Sequence, residues 1–163
     1  MYIKIILYLV FVSAGITGMV SCSTFTVYDT MKDLDSNSWS DKQELVFPII
    51  INDPSISYKL YYTVRYDAAY PYYNLYINRV MEDSSGKFLN KKLQGMDLFK
   101  SSTGVPFGTG MGSKKDFIIL SEDKYKFPYS GKYTIRLKQY MRQETILGIS
   151  AVGFKVEKIS NEK

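Results

Sequence analysis

The sequence predicts an all-β fold, an antiparallel β-sandwich of jelly-roll-like or immunoglobulin-like order with little helix outside an N-terminal export signal. Three observations carry this expectation. Apolar and polar residues alternate with period two in several stretches, as in strands with one buried face. Aromatic residues make up 15% of the chain, which has 15 tyrosines, and such side chains suit a pleated, half-buried surface. No window longer than a couple of turns shows a helical stripe with caps.

At the N-terminus Lys4 precedes an apolar stretch, Ile5 to Val20, that ends in Met19-Val20-Ser21-Cys22. The run is shorter than the roughly 20 residues that cross a bilayer and is interrupted by Ser13, Gly15, Thr17 and Gly18, which suits a cleaved signal better than a membrane span. The junction resembles a lipobox. Residues 1–21 are therefore expected to be a lipoprotein signal peptide, with lipid on Cys22 as the membrane anchor. Cys22 is the single cysteine, so folding rests on the core and not on a disulfide. Residues 22–41, polar around the single Trp39, read as a lipidated tether and irregular entry segment. Residues 42–163 read as one β-sandwich domain, a length sufficient for a sizeable core.

Within that domain the clearest strand is Ser57 to Tyr66, where Tyr58, Leu60, Tyr62, Val64 and Tyr66 share one face. Gly131 to Arg142 repeats the pattern, with Tyr133, Ile135, Leu137 and Met141 inward and Gln139 as a polar exception. Leu45 to Ile51, Tyr72 to Val80, Phe117 to Leu120 and Ile149 to Val156 are further strands by composition. Turn residues separate them: Asn52-Asp53-Pro54-Ser55, Ala68 to Pro71, Ser84-Ser85-Gly86 as a hairpin, and Tyr129-Ser130-Gly131 at the start of a later hairpin. In the tyrosine run Tyr70 to Tyr76, alternation assigns Tyr73, Leu75 and Ile77 to the core. It leaves Tyr72, Asn74 and Tyr76 on the opposite face.

The chain has 21 basic and 16 acidic residues and no histidine. Histidine is the commonest general base and metal ligand near neutral pH, no serine sits in a Gly-x-Ser-x-Gly elbow, and no Asp-x-Asp-x-Asp run offers a calcium loop. A hydrolase would have to use paired carboxylates drawn from Glu82, Asp83, Asp97, Asp116, Glu122 and Asp123. Most of these read as solvated residues at strand ends, so an enzyme, a cofactor and a metal are not expected. The scattered lysines of an exported chain do not call for nucleic acid. Gly104 to Gly112 is glycine-rich but lacks the Lys-Ser/Thr ending of a phosphate loop and precedes a strand; it reads as a long connection with positive φ. The candidate partner-binding surface comprises Tyr72, Tyr76, Gly104, Gly108, Gly110 and Arg142. An alternative use of the tyrosine-rich face is to stack on glycans.

Several pieces in order resemble the gliding-motility lipoprotein GldH family of Bacteroidetes: the junction ending in Cys22, Trp39, Tyr70-Pro71-Tyr72-Tyr73-Asn74-Leu75-Tyr76, Gly104 to Gly112, Ser130-Gly131-Lys132-Tyr133 with Gln139-Tyr140-Met141-Arg142, and Leu147-Gly148-Ile149 through Val156-Glu157-Lys158. The resemblance implies a non-enzymatic lipoprotein serving gliding and the type IX secretion machinery. Its implied partners are other envelope lipoproteins and membrane proteins of that apparatus. Only Cys22 carries a role over, as lipid acceptor. Ser23-Thr24-Phe25-Thr26 lacks the acidic, Lys-led pattern that resembles a surface-export signal, and no Asp follows Cys22. The expected place is the outer membrane, facing the periplasm.

Overall fold

The computed structural model describes residues 25–159. Ten strands follow one another: β1 (Thr26–Asp33), β2 (Ser38–Ser40) after a short 3-10 turn (Asp35–Asn37), β3 (Leu45–Ile51), β4 (Tyr58–Tyr66), β5 (Asn74–Asp83), β6 (Phe88–Asp97), β7 (Lys115–Tyr125), β8 (Gly131–Gln139), β9 (Thr145–Leu147) and β10 (Ile149–Lys158). They form one sheet ordered β1-β10-β4-β7, a second ordered β3-β8-β5-β6, and a two-stranded β2-β9 ribbon. Every pairing is antiparallel.

The chain switches sheet at nearly every long link, and only β5 and β6 are sequence neighbours within one four-stranded sheet. Two facing sheets with the last strand inserted beside the first, and β4 beyond it, are the jelly-roll arrangement, which resolves the two sandwich orders left open by the sequence. The core lies between the sheets. From β4 it receives Tyr58, Leu60, Tyr62, Val64 and Tyr66, and from β8 Tyr133, Ile135 and Leu137, all essentially without exposure. These are the inward faces expected from alternation.

Three expectations are corrected. The stretch 22–41 is not a tether as far as Asp41, because β1 pairs with β10 from Thr26↔Glu157 to Asp33↔Ala151 and Trp39 is fully buried, opposite Ile146 of β9. β1 is an edge strand whose side chains are half-buried or exposed on both faces, so it lacks the alternation that marks β4. Backbone pairing holds it. Tyr73 is not core: it is 53% exposed, since β5 starts only at Asn74 and alternation does not reach back past the strand end. Finally, Tyr129-Ser130-Gly131 opens no hairpin but carries the chain from β7 in one sheet to β8 in the other.

Four strands, β1, β2, β6 and β9, have no counterpart in the sequence reading, and β6 is the longest of them. Its residues Asn90, Lys92 and Gln94 alternate with the exposed Lys91, Leu93 and Gly95, so polar side chains occupy the inward positions. They reach β7 across the sandwich. Lys92 Nζ donates to Ser121 O at 2.5 Å and Gln94 Nε2 to Leu120 O at 3.0 Å, and Arg79 of β5, 1% exposed, bonds Glu122 at 3.0 Å and Ser121 at 3.2 Å. Both β6 and β7 are edge strands. The β6 side chains thus tie the edge strands of the two sheets together.

Candidate functional site: an aromatic groove at one end of the sandwich

The two ends of the sandwich differ. Turns 52–57, 84–87 and 126–130 close one end, together with Phe25 and Lys158 at the start of β1 and the end of β10. The other end carries the 3-10 turn, the β2-β9 ribbon, and the connections 67–73, 98–114 and 140–144. Antiparallel registers place these longer segments together.

A groove of about 580 Å³ opens at this second end, lined by Tyr72, Asn74, Tyr76, Leu93, Tyr140, Met141, Arg142 and Gln143. Local contacts explain its shape. Buried Gln139 donates from Nε2 to Gln143 O at 3.0 Å and accepts from Met141 N at 2.7 Å. The loop after β8 folds around this amide, and Tyr140 N donates to Tyr76 O at 2.8 Å. Tyr70, 4% exposed, donates its hydroxyl to Asn74 O at 2.6 Å and meets the Tyr72 ring edge-on at 5.6 Å. Burial and the neighbouring Tyr72 push the Tyr70 hydroxyl well above the ordinary tyrosine range, so it stays a donor. Gly148, at φ +82, lies so close to the Tyr70 backbone that a Cβ would collide with it.

A smaller hollow of about 240 Å³ adjoins the groove across Tyr140 and Met141, lined also by Asp41, Asn78, Lys138 and Gln139. Among the described residues Asp41 Oδ1 and Asn78 Oδ1 are buried acceptors without a donor. The surfaces together offer aromatic faces, amide groups and two cations. That chemistry suits recognition by stacking and hydrogen bonding.

Of the candidate residues read from the sequence, Tyr72, Tyr76 and Arg142 meet in the groove. Gly104, Gly108 and Gly110 do not line it. They have positive φ as expected, but Gly108 is pressed against the Asp116 backbone and Gly110 against Lys114, with Thr109 and Asp116 exchanging backbone bonds of 3.0 and 2.7 Å. The glycines allow that close approach to the start of β7. Tyr66 pins the segment, its hydroxyl 2.5 Å from Leu98 O and 2.6 Å from Phe107 O. Burial raises this hydroxyl to about 12. The groove residues missed by sequence reasoning are Asn74, Leu93, Tyr140, Met141 and Gln143. The polar Gln139 among inward apolar residues was the available signal for the loop that brings three of them in.

The carboxylates weighed for hydrolysis are mostly engaged in ion pairs or hydrogen bonds. Glu82 pairs with Arg136 at 2.9 Å, Asp116 with Arg65 at 2.7 Å, Glu122 with Arg79 and Lys92, and Asp123 with Lys59. The Arg65 hydrogen bond holds Asp116 below the usual carboxylate range. Asp83 accepts from Tyr129 and Ser85.

Compared with known proteins, the chain matches the GldH lipoprotein family over residues 26–156, from the first residue of β1 to near the end of β10. The chain belongs to the GldH lipoprotein family. It is 28% identical over 148 residues to the gliding motility lipoprotein GldH of Flavobacterium johnsoniae, covering 85% of this chain and 89% of that one. It is also 28% identical over 148 residues to the gliding motility lipoprotein GldH homolog of Christiangramia forsetii, covering 86% and 89%. Among solved structures it is similar to an insecticidal delta-endotoxin, Cry8Ea1 of Bacillus thuringiensis, with a TM-score of 0.38 and 10% identity over 76% of this chain and 19% of that one. The jelly-roll order therefore rests on the strand pairings of this GldH-family chain alone. Cys22 and residues 1–21 lie outside the described residues.

Proposed function

We propose that this GldH-family lipoprotein is a non-enzymatic assembly or stabilising component of the gliding and type IX secretion apparatus. Lipid on Cys22 holds it to the outer membrane on the periplasmic side, and it engages other envelope lipoproteins and membrane proteins through the aromatic groove. The observation that carries the docking role is the position of the groove. β1 leaves the anchor end at Thr26 and runs eight residues toward the groove end, about 26 Å at ~3.3 Å per residue, so the concave face is presented away from the lipid. A clean deletion tests this reading. Loss of type IX cargo secretion, restored by the wild-type chain but not by Tyr72→Ala with Arg142→Ala, supports it, whereas normal secretion in the deletion overturns it.

A second reading, a glycan-binding envelope lipoprotein, is favoured by one observation: Tyr72, Tyr76 and Tyr140 line a single hollow. Affinity electrophoresis through polysaccharide gels separates the two. Retardation abolished by Tyr72→Ala with Tyr76→Ala supports glycan binding; unretarded migration removes it.

A further inference from the structure

The end of the sandwich opposite the groove carries Lys87, Lys124, Lys126, Lys132 and Lys158, all exposed. Among the described residues none of these lysines is in an ion pair. Registers place them together. Lys158 pairs with Tyr58 and Tyr58 with Tyr125, so Lys124 and Lys126 flank the same row. In the other sheet Ile50 pairs with Lys132, Tyr133 with Asp83, and Glu82 with Phe88, next to Lys87.

Opposing charge at this end is largely engaged. Asp83 is bonded by Tyr129 and Ser85, Asp123 by Lys59, and Glu157 by Lys155. Asp53 accepts from Ser55 and feels Lys158. Large apolar side chains are exposed on the same rim: Phe25 at 45%, Ile50 at 56% and Phe88 at 59%. Exposed aromatic and aliphatic groups interleaved with unpaired lysines form a surface suited to the boundary between headgroups and acyl chains.

The chain itself says what this surface faces. Phe25 and Cys22 are three residues apart, which span at most about 11 Å. Lipid on Cys22 therefore holds this end of the domain against the bilayer. We infer that this rim, its five unpaired lysines set around Phe25, Ile50 and Phe88, docks on an anionic lipid surface. This contact supplements the acyl anchor and orients the groove outward. The inference rests on acylation of Cys22.

Reconstituting the mature lipoprotein in vesicles of phosphatidylethanolamine containing phosphatidylglycerol, and separately in phosphatidylcholine alone, provides the test. An amine-reactive reagent read by mass spectrometry should label Lys87, Lys124, Lys126 and Lys158 several-fold less in the anionic vesicles at low salt. Lys100 and Lys138, at the other end, should label equally in both. High salt should remove the difference, because exposed charges are screened within about 10 Å at 0.1 M. With Cys22→Ala, the unlipidated chain should still bind anionic vesicles weakly, each Lys→Gln change at the rim weakening it about fivefold, the equivalent of ~1 kcal/mol per lysine. Equal labelling of rim and distal lysines in acylated protein overturns the inference. Absence of acyl chain on Cys22 in the mass spectrum overturns the anchor instead.

Discussion

The ring of Tyr76 on β5 lies across Gly95, its partner on β6: a Cβ built on Gly95 would sit 2.6 Å from Tyr76 Cε1. The missing side chain of one residue is thus the seat of another, and one wall of the groove depends on the pair. Adding bulk at 95 must displace the ring, which is 40% exposed and free to swing outward. Gly95→Val is expected to reduce partner capture in envelope crosslinking about as much as Tyr76→Ala while lowering the thermal midpoint by only a few degrees. A midpoint loss that tracks the loss of capture would show that position 95 acts through stability.

Arg79 and Glu122 form an asymmetric pair. Arg79 is 1% exposed and its Nε has no partner among the described residues, whereas Glu122 is 28% exposed and keeps Lys92 at 3.2 Å. Removing the acid strands a buried cation, which costs about 3 kcal/mol. Replacing the cation by an apolar chain of similar length leaves Glu122 satisfied. Denaturant unfolding should therefore show Glu122→Gln about 3 kcal/mol less stable and Arg79→Met within about 1 kcal/mol of the wild type.

Asp83 is held well below the usual carboxylate range, first by the Tyr129 hydroxyl and then by Ser85. A depressed folded value means the folded state binds this proton more weakly than the unfolded chain, so the contribution is present above about pH 4 and is lost as pH falls through the folded value. Asp83→Asn should be less stable than wild type at neutral pH, and the gap should narrow on acidification below pH ~4. A gap independent of pH would assign the effect to the turn geometry.

Tyr129 is raised to about 12 by the hydrogen bond to Asp83, and Tyr61 and Tyr66 to about 12 chiefly by burial. Raised values favour the neutral form in the folded state, so their stabilisation is full below about pH 10 and is lost as pH rises from there toward 12. Ultraviolet titration of tyrosinate should show these groups ionising well above pH 10, with cooperative unfolding in the same window. Ionisation of all tyrosines together near pH 10, without unfolding, would contradict this.

Trp39 is fully buried and donates its indole N–H to Gln43 O at 3.1 Å. Its emission should be blue-shifted and weakly quenched by acrylamide. Trp39→Ala should cost about 4 kcal/mol in denaturant unfolding followed by circular dichroism, because a large cavity remains.

Several elements were legible in the sequence because their information is local. β4 and β8 alternate so regularly that strand, inward face and partial boundaries follow from one stretch of chain. Serine and glycine after Asp83 mark the β5–β6 hairpin in the same way. β1 and β6 were not legible: β1 shows no alternation, and Asn90, Lys92 and Gln94 put polar groups where a core face expects apolar ones. The partner of β1, β10, lies far away in sequence, and the groups that satisfy the inward polar side chains of β6 come from β7 in the facing sheet.

An all-β chain, the inward faces of its strongest strands and the motifs of its family are written in consecutive residues, since periodicity, propensity and motif order are local properties. The jelly-roll order, the burial of Trp39 and the gathering of Tyr72, Tyr76, Tyr140 and Arg142 into one groove arise from long-range pairing. Those outcomes depend on which strands exchange backbone hydrogen bonds. The pairing of β10 joins residues more than a hundred positions apart on its β1 side and more than eighty apart on its β4 side, where no local pattern records the choice.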